Sequence, residues 1–158
     1  MKISKIDQEI LDINWFAVDA TGCIAHFSSD GGQLPSSVSE SSEDNTMLTS
    51  YFEHAPILSS EYHINKNLEL SEYVKTSEQQ ARCFKSFADF SMRGLFSFSR
   101  NLSNDHKIII HTNYDRITSP ALRIHLTDLP NHLQILISKT KYIGFFDKLD
   151  QIDITKTL

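Results

Sequence analysis

The chain is predicted to be an α+β protein, with a mainly antiparallel sheet of about five or six strands and two or three helices packed on it. Three features of the sequence lead there. Residues 15–27 read as a hairpin with apolar arms, residues 77–91 carry a clear 3.6-residue apolar stripe, and several short segments after Gly94 alternate or run apolar. The bulk composition agrees. Of 158 residues, 40% are hydrophobic and ten are Phe, which excludes disorder, while five Gly and four Pro exclude a fibrous or repeat protein. This length suits one globular domain spanning 1–158.

Residues 1–14 form a lead-in, helical in part, with Ile3, Ile6 and Ile10 as its stripe. Strands follow at 15–19 and 23–27, joined by a type I turn in which Gly22 takes positive φ. Both parities of the first arm are apolar, so that strand is expected to be covered on both faces. Residues 28–42, with Gly31, Gly32, Pro35 and seven serines, read as a loop. No Gly-Lys-Ser/Thr follows these glycines, which excludes a phosphate cradle.

A helix should start near Ser42 as N-cap, with Glu43 and Asp44 in its first turn and Met47, Leu48, Tyr51 and Phe52 as its stripe. Partial alternation of Tyr62, Ile64, Leu68 and Leu70 marks one edge strand within 61–70. Ser77 and Gln80 form a capping-box pattern for the helix that carries Ala81, Phe84, Phe87, Ala88 and Ser91 and ends at Gly94. Glu78 with Arg82 and Asp89 with Arg93 are i,i+4 pairs on its wetter face. Strands are predicted at 96–98, 107–112 and 121–126, with polar turns at 101–105 and 113–120. A last helix, 129–138 with Asp128 as N-cap, puts Leu129, Leu133, Leu136 and Ile137 on one face; a strand at 135–137 competes with it. Residues 145–146 and 152–154 add a final strand or a packed tail.

Net charge is −5 and uneven. Residues 1–79 hold four Lys/Arg against thirteen Asp/Glu, and residues 80–158 hold eleven against seven. An acidic chain without a basic cluster is a poor nucleic-acid binder. No apolar run is long enough to span a bilayer and no secretory leader is visible, so no membrane partner and a cytoplasmic location are expected. Cys23 and Cys83 follow no framework spacing, which fits free thiols, buried in the case of Cys83 and more exposed after the turn in the case of Cys23.

Catalytic and metal chemistry find little support. The histidines are His26, His54, His63, His106, His111, His125 and His132. None forms His-x-x-x-His and no cysteine pair lies at ligand spacing, so they read as surface or rim residues and no metal or cofactor is expected. Neither cysteine has a local base and orienter. Asp19 and Asp30 are explained by turn and loop positions rather than as a carboxylate pair. The stronger signal is acidic: Glu40, Glu43, Asp44, Glu53, Glu61, Glu69 and Glu72, with Tyr51, Phe52, Tyr62 and Tyr73 nearby in sequence. Glu40, Glu43, Asp44, Tyr51, Glu53, Glu61 and Tyr62 are the candidate partner-binding residues, since an acidic face steers a basic protein and aromatics anchor it.

The segment Trp15-Phe16-Ala17-Val18-Asp19, then Gly22-Cys23-Ile24-Ala25-His26-Phe27, Gly31-Gly32 and Leu34-Pro35 resembles an N-terminal signature of small bacterial proteins, some of them similar to immunity proteins of toxin systems. Leu129-Pro130 followed by an amphipathic segment is a second shared feature. The resemblance covers about a fifth of the chain, and its motifs are structural. It implies a non-catalytic cytoplasmic protein that blocks a basic toxin. The alternative is an intracellular domain that binds a small molecule or serves as a scaffold.

Overall fold

A computed structural model describes residues 1–68, 76–100 and 113–157. The strand predicted at 107–112, together with Glu69, Leu70, Glu72, Tyr73, His106 and His111, lies outside these residues. The hairpin forms as its residues dictate: β1 (Asn14–Val18) pairs antiparallel with β2 (Ile24–Ser28). Its turn is closed by the Asp19 carboxylate, which accepts from Thr21 N, Thr21 Oγ1 and Cys23 N at 2.8–3.0 Å, and from Phe146 N at 3.0 Å. Gly22 has φ +87°, and a Cβ there would fall 2.2 Å from Nε2 of His125, which bonds Thr21 O.

The other strands are β3 (Tyr62–Ile64), β4 (Phe96–Arg100), β5 (Asn113–Pro120) and β6 (Gln151–Asp153). They complete a mixed six-stranded sheet of order β1-β2-β4-β5-β3, with β6 also on β5. Only β2 and β4 run parallel; the other named pairings are antiparallel. β3 and β6 lie end to end along the far edge of β5. Their junction is tied by Arg116, whose guanidinium meets Asp150 at 2.8 Å, and by Asn67, which donates to Asp150 at 2.7 Å.

The helices are α1 (Lys5–Ile10), α2 (Ser36–Ser39), α3 (Ser42–His54), α4 (Ser77–Met92) and α5 (Asn131–Ile137). The three longer ones pack on one face of the sheet, over Phe16 and Ile24, through Leu48, Phe52, Phe90, Leu133 and Ile137. The other face carries Trp15, Phe27, Phe98 and Tyr114, and is covered by Leu34, Val38 and the C-terminal Tyr142, Phe146, Ile152 and Ile154. Both faces of β1 are therefore buried, as its two apolar parities require.

Several expectations are corrected. Residues 113–120, read as a polar turn, form β5: Tyr114, Ile117 and Thr118 are buried, and the polar residues between them are absorbed by neighbours, Asp115 by Gln151 and Arg116 by Asp150. Residues 121–126, read as a strand, form a turn and a single bridge from His125 to Cys23, leaving Leu122 exposed. In α1, Ile6 and Ile10 face solvent, and the inward residue is Gln8, whose Oε1 accepts from Leu34 N at 2.9 Å. Two caps sit one residue earlier than read: Ser41 caps α3, and Thr76 with Gln79 forms the capping box of α4. Asp128 caps a preceding 3₁₀ turn, and α5 starts after Pro130. Asp89 pairs with Lys85, while Arg93 donates to the Asp89 and Ala55 carbonyls.

Gly94 ends α4 at φ +98°, and a Cβ there would lie 2.6 Å from the backbone N of Ile124, which donates to Gly94 O. Gly94→Ala is therefore expected to destabilise the fold by about 2 kcal/mol or more, from backbone strain and a clash that no side chain can relieve. The urea midpoint measures this. A loss under about 0.5 kcal/mol would show that the turn re-forms around the methyl.

Candidate functional site

The candidate partner-binding residues divide between two regions of the fold. Ser41 caps α3 by accepting from Asp44 N, and the helix then presents Glu43, Thr46, Met47 and Ser50 outward while Leu48 and Phe52 turn into the core. Between α3 and α5 lies an open groove of about 610 Å³. Met47, Tyr51 and Leu133 give it an apolar floor; Glu43 and His132 stand at its sides. Tyr51 is half-buried and held edge-on against Phe52 at 5.3 Å, so its ring is positioned before any partner arrives. Glu40, at the end of α2, and Glu53, on the last turn of α3, are exposed. Glu61 and Tyr62 lie elsewhere, at β3, on the opposite edge of the sheet from β1.

Two of the carboxylates are already engaged. Asp44 pairs with Lys139 at 2.8 Å. Glu43 meets the terminal ammonium of Met1, which holds its carboxyl well below the usual range, at about 2. Even so, no Lys or Arg occurs between Lys5 and Lys66, a span that carries ten Asp/Glu. Glu40, Glu43, Asp44 and Glu53 all come from that span, while the cations beside them, Lys139, the Met1 ammonium and, next to α2, Lys2 and Lys5, come from outside it. His132 was not a candidate from sequence: nothing in the spacing of α3 and α5 tells that residue 132 faces residue 43.

A second constellation is buried. His26 Nδ1 lies 2.6 Å from Ser97 Oγ, and His26 Nε2 lies 2.8 Å from Asn14 Oδ1. Hydroxyl, imidazole and orienting amide follow the order of a nucleophile, its base and its orienter. Burial removes the chemistry. Ser97 is fully enclosed and His26 is 1% exposed, stacked on Phe90 at 4.0 Å and flanked by Phe16 and Phe87. Desolvation pushes the imidazole down to about 3, so it is a poor base, and no substrate could reach the hydroxyl. The three residues form a structural bridge across β1, β2 and β4. The expectation of surface or rim histidines is thus corrected for His26.

The remaining candidates resolve locally. Asp19 is consumed by its turn, and Asp30 N donates to Asp12. Cys23, expected to be the more exposed thiol, is buried, and Cys83, expected to be buried, is half-exposed on α4. Among the described residues no group of three or more His, Cys, Asp or Glu is placed to hold a metal ion. Among them, too, no helix is long and apolar enough to cross a membrane. No protein-family model matches the chain, and neither a curated protein nor a solved structure matches it significantly.

Proposed function

We propose that this protein is a non-catalytic protein-binding module, an immunity-type inhibitor acting in the cytoplasm that holds a basic toxin domain against α2 and α3. The observation that carries the reading is the α3–α5 groove with its apolar floor: Glu43 lines it, and Glu40 and Glu53 are exposed near the two ends of α3, all on a span without Lys or Arg. Each part has a use. Carboxylates steer a cationic partner and speed its encounter, and the pre-positioned Tyr51 with Met47 offers apolar area to bury once it docks.

The test uses the product of the gene adjacent to this one as the partner. Changing Glu40, Glu43 and Glu53 together to Lys is expected to slow association at least about tenfold at low salt. Tyr51→Ala is expected to act on dissociation instead. Association that is unchanged by the triple variant and insensitive to salt overturns the reading.

A further inference from the structure

On the other side of the sheet, residues 2–9, the loop at 31–34 and α2 enclose a cavity of about 810 Å³. Its inner wall is formed by Ile3 and Leu34, both packed on the Trp15 core. The frame is stitched together by hydrogen bonds. Ile3 N donates to Ser39 O at 2.7 Å, Leu34 N donates to Gln8 Oε1 at 2.9 Å, and Gln8 Nε2 donates to Ile3 O at 3.2 Å. Because these bonds are made within the chain, the cavity is formed before any ligand enters.

The polar groups around it divide into committed and uncommitted. Gln8 is committed at both ends of its amide, Ser4 Oγ donates to Asp7, and Ser39 Oγ donates to Ser36 O. Among the described residues, the ammonium groups of Lys2 and Lys5, the Ser36 hydroxyl and the Gln33 amide have no partner. Lys2 and Lys5 are also the only Lys or Arg in residues 1–65, and both line this one cavity. Glu9 is the single carboxylate on the wall, one turn beyond Lys5 on α1, about 6 Å further along the axis, and it forms no ion pair with that lysine. Two cationic donors together with an apolar wall, in one cavity, match how small-molecule sites are built.

We propose that this cavity binds a small organic anion, a carboxylate, sulfate or phosphate carried on an apolar body. Lys2 and Lys5 hold the head, Gln33 and Ser36 add neutral donors, and the body lies along Ile3 and Leu34. The site does not depend on the protein-binding role of the α3–α5 groove.

The test is titration of the full chain with sodium octanoate, followed by backbone amide NMR. Saturable shifts confined to residues around the cavity, such as Ile3, Gln8, Gly31 and Leu34, are expected. Lys2→Gln with Lys5→Gln should weaken binding by at least about tenfold, since two charge-assisted contacts are lost. The two Lys→Arg changes should retain it, and Glu9→Gln should tighten it by removing a repelling charge. Both lysines are exposed and unpartnered, so the Gln variant should keep an unchanged melting temperature. Failure to saturate by about 10 mM octanoate, equal affinity in the Gln variant, or equal affinity for uncharged octanol would overturn the proposal.

Discussion

Trp15→Ala is expected to cost about 3–5 kcal/mol, comparable with much of the stability of a domain this size. Trp15 is fully buried, stacked on Phe27 at 4.0 Å and edge-on to Tyr114 at 5.6 Å, with its indole N–H donating to the Tyr114 hydroxyl at 3.4 Å. Alanine would leave a hole at the centre of the Trp15 face and strip the Tyr114 oxygen of a partner inside the core. Trp15→Phe should recover most of the packing and lose only the hydrogen bond. Urea unfolding of the three proteins checks this. A Trp15→Ala loss below about 1.5 kcal/mol would mean that the surrounding rings collapse into the space.

Acidification should destabilise the protein through His26. In the native state this imidazole is neutral, with its pKa lowered by burial from 6.5 to about 3. The unfolded chain takes up a proton in that window and the folded chain does not. The sign follows: stability from this group is complete above about pH 6.5 and falls as pH drops toward 3, at about 1.4 kcal/mol per pH unit. Near pH 4.5 the loss is on the order of a few kcal/mol. Carboxylates add to it at lower pH, Glu43 among them, because its pKa is depressed and its contribution is lost as pH falls below 4.5. The His26→Gln variant separates the terms. Glutamine can still reach Ser97 and Asn14 but does not titrate, so the slope between pH 6.5 and 4.5 should flatten. Identical slopes in both proteins would assign the acid sensitivity to other groups.

The hairpin, α3 and α4 are legible in the sequence because each is specified locally. Asp19 and Gly22 define a turn, Glu43 and Asp44 mark a helix start, and Phe84, Phe87 and Ala88 recur at helical spacing. β5 is not legible, because its polar residues look exposed until β6 and the Asp150 loop arrive from some 35 positions later to neutralise them. Residues 121–126 mislead in the opposite way. Their alternation is real, yet the backbone pairs only locally, His125 bridging Cys23 and Ile124 N donating to Gly94 O. For the candidate site, the acidic character of α2 and α3 can be read directly. That His132 joins Glu43, and that Glu61 and Tyr62 depart to the far edge, depends on the tertiary path of the chain. His26 shows the same limit: burial, not residue type, decides what an imidazole does.

The parallel seam between β2 and β4 has a kinetic consequence. His26 and Ser97, neighbours across it, are separated by 71 residues, whereas the β1–β2 hairpin closes over a five-residue connection. The hairpin can form in about 1–10 μs, but the seam must first close a long loop. Folding should thus be limited by a late docking step, with the hairpin formed early and β4 waiting on the helices between.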